Sequence, residues 1–343
     1  MQFVRDTTRR AVMILAYLLF GVLLVVSAPL WAPVTAVMDR VRGQSYLRCI
    51  TFFAHFIWTG LFYLGQAQVA WVLKGGPFRD GGMPYVVRLW GIQRRWALRL
   101  LRGGVRLYRL DIQVEGAEES LADPGPLLLL SRHVSFGDTL LPFWIFAKRL
   151  PFQPRYVMKK ELVWDPCIDI VGGQLPNAFV RRGTDNPARE IEEVLKLVDG
   201  TGPHDVVVVY PEGTRFTPHK RTQILERLEA KGASAEDVAR ARAYTHVLPP
   251  RPGGAVSLLE KKATDVVFLA HTGLEKVRTL RNLVDGSFVG TTLRIALWRI
   301  SHQTLPAGRE ALTAWLHTRW SEVDAWVGRQ VPAGKAAPSQ PGA

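Results

Sequence analysis

The sequence predicts an α/β fold: a mainly parallel sheet flanked by helices, preceded by an N-terminal anchor of two apolar helices. Three observations predict it. The runs Leu127–Leu130, Val206–Val209 and Val266–Leu269 are short and wholly apolar, as strands covered on both faces are. Helical stretches separate them, as connections between parallel strands require. Residues 11–38 and 49–73 carry no charged side chain, and such lengths suit a hydrocarbon core of about 30 Å.

Taken in order, residues 1–10 are basic through Arg5, Arg9 and Arg10, and the following run reads as the first membrane helix. Asp39, Arg40, Arg42 and Arg48 mark a polar loop, and Cys49–Leu73 is the second helix, in which His55 is expected to bond a backbone carbonyl. A cleavable signal peptide and a buried soluble hairpin are the competing readings. Pro29 directly after Val26-Ser27-Ala28, and a second apolar run close behind, oppose the first. Residues 1–73 are therefore assigned to the anchor.

Residues 74–110 hold nine Lys and Arg against one acid, Asp80, a net +8 of the chain's +14. Arg95, Arg99, Arg102 and Arg106 fall on one helical face, suited to anionic headgroups, and Gly103-Gly104 is expected to cut that helix short. A charge of +14 invites a nucleic-acid reading. Its concentration beside the anchor makes the expected partner an anionic membrane, with no nucleic acid. The basic flanks place the remainder of the chain in the cytoplasm. Arg outnumbers Lys about three to one, read as a bacterial genome and hence the inner membrane. Two cysteines, Cys49 and Cys167, are too few for a disulfide framework.

Residues 111–330 form the α/β domain. Asp111–Glu115 alternates like a strand with one open face. Helices are expected over 187–198, with Asn186 at the cap and Pro187 in the first turn, over 222–231, over 254–262 and over 309–327. The Trp stripe of the last, Trp315, Trp320 and Trp326, reads as core. Residues 331–343 are a Pro/Ala/Ser tail, expected to be disordered.

Polar groups follow two of the buried runs, where sites of parallel sheets form. After Leu130 come His133 and Asp138. Five residues apart they would not meet on one helix. They meet if His133 ends a loop and Asp138 opens the next helix, with Gly137 permitting the turn. Asp138 then fixes the imidazole tautomer and leaves a general base. After Val209 come Glu212, Gly213, Thr214 and Arg215. Gly213 allows close backbone approach, Arg215 suits a phosphate, and Glu212 is a candidate to hold a hydroxyl or brace an arginine. Arg181-Arg182 and the loop around Pro249-Pro250-Arg251 complete the set. His204, His219, His246, His271, His302 and His317 lack a carboxylate at the same spacing.

In order and approximate spacing, His133-x-x-x-x-Asp138, Phe179-Val180-Arg181-Arg182, Pro211-Glu212-Gly213-Thr214-Arg215 and Val247-Leu248-Pro249-Pro250 resemble the glycerolipid (lysophosphatidate, PlsC-like) acyltransferase family. The resemblance covers about residues 85–275 together with the anchor. Glu212–Thr217, Leu248–Gly254 and Ala314–His317 look most like its lysocardiolipin and long-form lysophosphatidate branch. It implies an enzyme without cofactor or metal that moves an acyl group from acyl-CoA or acyl carrier protein to the hydroxyl of a lysophospholipid. A 1-acyl-glycerol 3-phosphate is the first expectation. Lysophosphatidylglycerol, lysocardiolipin or a glycolipid is the alternative, and a tethered nucleic-acid binder is remote. His133 would be the base and Asp138 its orienter. Arg181, Arg182, Glu212, Gly213, Thr214 and Arg215 would bind substrate. Arg132 stands where the family often has Asn, which bears on the acceptor's approach. The fourth motif is Pro-rich, which leaves chain-length preference open, as is the oligomeric state.

Overall fold

The computed structural model describes residues 2–146, 152–181, 187–279 and 281–330. The expected tail over 331–343 lies outside them. The chain begins with four helices: α1 (Gln2–Val26), α2 (Ala28–Arg42), α3 (Tyr46–Leu73) and α4 (Gly82–Tyr108). Two apolar helices were expected before residue 74, and α2 stands between them. Pro29 has no N–H to extend α1 and instead sits in the first turn of α2. Asp39–Arg42, expected as loop, are helical. Gly43, in the left-handed region at φ 63°, ends α2, and Asp39 accepts from the amides of Tyr46 and Leu47 to start α3.

Arg5–Val26 and Tyr46–Leu73 are each long and apolar enough to cross a membrane. They differ in surroundings. Along α1, Leu15, Leu19, Leu23 and Val26 are exposed. Helix α3 is two-sided: Phe62, Val69 and Leu73 face outward, while Cys49, Ile57 and Ala67 are buried. The start of α1 is fastened to the 160s region. Arg9 and Arg10 both bind Asp169 at 2.9 Å, and the Tyr17 hydroxyl donates to Asp165 at 2.8 Å.

Helix α4 does not stop at Gly103-Gly104, contrary to expectation. It runs on to Tyr108 because those glycines are where α3 lies against it. A Cβ on Gly103 would overlap the His55 ring, and one on Gly104 would press Phe52 at 3.3 Å. His55 Nε2 lies 3.1 Å from the Arg99 carbonyl, the expected backbone bond. Arg95, Arg99, Arg102 and Arg106 are all exposed, while Ala97, Leu98, Leu100 and Leu101 are buried.

Seven strands form one sheet in the order β1-β7-β6-β2-β5-β3-β4. They are β1 (Asp111–Glu115), β2 (Leu127–Ser131), β3 (Gln153–Lys159), β4 (Ala178–Val180), β5 (Asp205–Val209), β6 (Asp265–Thr272) and β7 (Thr292–Ile300). Every pairing is parallel except β6 with β7. The central β2 and β5 are buried at every residue. Alternate residues point into two cores, because side chains of a strand alternate. Leu127, Leu129, Val206 and Val208 meet α3 and α4 through Cys49, Ala97 and Leu98. Leu128, Leu130, Val207 and Val209 share the opposite core with the helices Pro252–Lys261 and Arg309–Gln330. Trp320 and Trp326 of the last helix are buried there, as the Trp stripe predicted.

The α3–α4 seam gives a test. Gly103→Ala adds helix propensity worth ~1 kcal/mol but overpacks the seam at a cost of ~1–3 kcal/mol. It should lower the unfolding midpoint in detergent. In a His55→Ala background the same change should raise it.

Candidate active site

The C-terminal ends of β2, β5 and β6 are neighbours in the sheet, and the polar groups gather there. After β2 the chain turns through His133–Phe136 into a short 3-10 helix, Gly137–Leu140. Asp138 opens that helix and accepts four bonds. Its Oδ2 takes His133 Nδ1 at 3.0 Å, the Val134 amide at 2.5 Å and the Ser135 amide at 2.9 Å. Its Oδ1 takes the Ser135 hydroxyl at 2.9 Å. Burial alone would raise the pKa of Asp138. The charge of His271 and the bonds from His133 and Ser135 outweigh it and hold the carboxyl below its ordinary value. The Asp138 side chain is 0% exposed and that of His133 is 17% exposed. With Nδ1–H assigned to Asp138, the imidazole turns its Nε2 lone pair away from the carboxylate.

The loop after β5 packs on the backbone of His133. The Phe216 amide donates to the His133 carbonyl at 2.6 Å, and the Tyr210 ring lies 4.5 Å from the imidazole. Gly213 has φ +66°, and a Cβ there would touch Arg251 at 3.0 Å, so the turn needs glycine. Glu212 is turned inward, toward the backbone of the neighbouring loops. It is 0% exposed, with Oε1 accepting the His133 amide at 2.7 Å and Oε2 the Leu248 amide at 2.8 Å. Burial exceeds the effect of those two bonds and pushes its pKa up to about 8. Glu212 thus joins three of the sequence motifs through their backbone.

Arg132 also turns inward. It is buried, donating to the carbonyls of His271 at 2.6 Å and His246 at 2.8 Å and pairing with Glu275. The sequence set His271 aside for want of a carboxylate at the right spacing. Yet its Nε2 is 3.0 Å from the Arg132 carbonyl and 3.9 Å from Asp138, and burial lowers its pKa. The signal available was its place at the end of the apolar run beginning at Val266.

Thr214 accepts from Lys220 at 2.8 Å. Arg215 is exposed on the same loop. Arg181 is exposed at the end of β4, its amide donating to Glu190 at 2.8 Å. That strand stands three positions from β2, about 14 Å at the usual spacing. Arg182 and Asn186 lie outside the described residues. Among the described residues no group of three or more His, Cys, Asp or Glu is placed to hold a metal ion.

Two tests follow from Glu212. The folded state keeps a proton on it up to about pH 8, while the unfolded chain releases it near 4.5. Its contribution to stability should therefore fall as pH rises through that window. Glu212→Gln, which cannot ionise, should flatten this part of the midpoint-against-pH curve. Glu212→Ala leaves two amides unpaired, each worth ~1–3 kcal/mol, and should cost ~2–6 kcal/mol. Its loss of turnover should exceed any rise in acceptor KM.

Comparison with known proteins bears on the fold and on the kind of domain. Residues 111–277, just under half of the chain, match the family model described as Acyltransferase. The 1-acyl-sn-glycerol-3-phosphate acyltransferase epsilon of Mus musculus is 25% identical over 223 residues, covering 58% of this chain and 56% of that protein. The delta enzyme of the same species is 24% identical over 190 residues, covering 53% and 47%. The chain thus spans about half the length of these curated relatives. The crystal structure of the 1-acyl-sn-glycerophosphate acyltransferase PlsC from Thermotoga maritima shares the fold. Its TM-score is 0.53 at 17% identity, covering 86% of this chain and 98% of that one. Together the comparisons show a match to acyltransferases over residues 111–277 and a fold shared with PlsC.

Proposed function

We propose that this chain, through its PlsC-like domain, is a membrane-bound acyltransferase. It moves a fatty acyl group from acyl-CoA to the free hydroxyl of a 1-acyl-glycerol 3-phosphate. The observation that carries the reading is the His133–Asp138 pair: a sealed carboxylate holding one ring nitrogen of a partly exposed imidazole at the carboxyl edge of the sheet.

In this reading His133 Nε2 accepts the hydroxyl proton as the oxygen attacks the thioester carbonyl. The C–S bond breaks, the imidazolium returns the proton to the departing thiolate, and an ester and a free thiol result. Asp138 stabilises the imidazolium through Nδ1. The acceptor is itself the nucleophile, so no acyl-enzyme forms. Arg215 is assigned to the acceptor's charge, with Arg181 at the β4 end and its neighbour in sequence Arg182.

The apolar outer faces of α1 and α3 support the membrane assignment, since patches of this kind mark membrane or partner surfaces. The exposed arginines of α4 border them. Each contributes about 1 kcal/mol near an anionic surface. Their flanking position favours a cytoplasmic catalytic face on a bacterial inner membrane.

Membranes containing the protein, given labelled acyl-CoA and mixed lysophospholipids, should yield labelled phosphatidate. His133→Ala should lower turnover ~10²–10⁴-fold while lysophosphatidate still binds. Full activity of that variant would remove His133 as the base. Label appearing only in phosphatidylglycerol, cardiolipin or a glycolipid would change the acceptor and keep the chemistry.

A further inference from the structure

We propose that Arg278 is a phosphate-binding residue of this site, holding the acceptor's phosphate beside His133. The proposal deepens the acyl-transfer reading and rests on it.

Two guanidinium groups lie near the ring of Phe216, Arg132 at 6.0 Å and Arg278 at 5.7 Å. The Phe216 amide is bonded to the His133 carbonyl, so Phe216 connects both arginines to the backbone of His133. Their circumstances differ. Arg132 is buried and compensated by Glu275 and the two carbonyls. The second oxygen of Glu275 is occupied by the Gly273 amide. Arg278 is half-buried. The enclosed Nε of each lacks a hydrogen-bond partner, but among the described residues the Arg278 side chain, unlike that of Arg132, forms no ion pair and no hydrogen bond. Burial lowers its pKa, and the nearby charge of Glu275 offsets only part of that.

A cation partly removed from water with no counter-ion is unfavourable unless an anion arrives to pair with it. A planar guanidinium suits a phosphate in particular. Position favours the same ligand. Arg278 follows β6, the strand beside β2, through the short turn Leu274–Val277. Arg181 follows β4, at the far end of the sheet. In a lysophosphatidate the free hydroxyl and the phosphate are separated by only a few covalent bonds. A cation that grips the phosphate while His133 takes the hydroxyl proton must stand close to the base. Arg278 is also one residue beyond the segment matched by the family. The phosphates of an acyl-CoA donor share this chemistry and are the other source.

The test uses the full chain in detergent or membranes, with Arg278→Gln and Arg278→Lys. Equilibrium binding is measured for lysophosphatidate and for monoacylglycerol, which lacks the phosphate. KM is measured for acceptor and donor. Arg278→Gln should weaken lysophosphatidate binding and raise its KM by about 10- to 100-fold. Arg278→Lys should recover part of the loss, and monoacylglycerol binding should not move. A rise in the acyl-CoA KM instead would assign the same cation to the donor's phosphate. Unchanged binding and KM in Arg278→Gln, with an active wild type, would overturn this proposal alone. An equal loss for monoacylglycerol would also overturn it, since the residue would then only pack on Phe216. Lysophosphatidate binding that depends on Arg278, in a wild type that transfers no acyl group, would leave this proposal standing and remove the reaction.

Discussion

Asp138 is completely buried and its carboxyl is held below the ordinary value, a state tolerable only if donors replace the water it has lost. All four donors come from His133, Val134 and Ser135. A stretch that supplies four bonds to a residue so near in sequence has to curl around it. That curl is what delivers the imidazole to the edge of the sheet. Position and chemistry are therefore one constraint: the bonds that, with the charge of His271, keep Asp138 charged are the bonds that aim His133.

The same device recurs at longer range. Glu212 joins the amides of His133 and Leu248. Asp324, on the last helix, accepts the amides of Thr245, His246 and Val247. Trp320 from that helix donates to the Leu248 carbonyl at 3.1 Å. Buried acidic groups thus tie the loop after β5, the loop around Leu248 and the C-terminal helix to the backbone of His133. Buried groups of this kind are costly to leave half-paired, which favours one arrangement of these loops over its alternatives.

What could be read from the sequence divides along this line. The His133–Asp138 pair was legible because its partners are local and Gly137 and Asp138 signal a new helix. The three central strands were legible because burial on both faces leaves a continuous apolar run. Strands β3 and β7 are broken up by Arg155, Lys159, Arg294 and Arg299, and β4 has only three residues. The inward turn of Arg132, the approach of His271 and the burial of Glu212 depend on which strands are neighbours, and spacing along the chain does not encode that. Gly103-Gly104 misled for a related reason. A glycine pair reads locally as a stop, yet here it is a contact surface for α3.

Helix α3 is shared: its inner side belongs to the core under the sheet and its outer side is bare and apolar. In the membrane reading, the catalytic edge is then carried at a fixed height, with no slack linker between it and the lipid. Both lipid substrate and lipid product arrive and leave by lateral diffusion within the leaflet. The governing concentration becomes the acceptor's mole fraction in the surface, and inert lipid acts as a diluent even when the bulk amount of acceptor is constant.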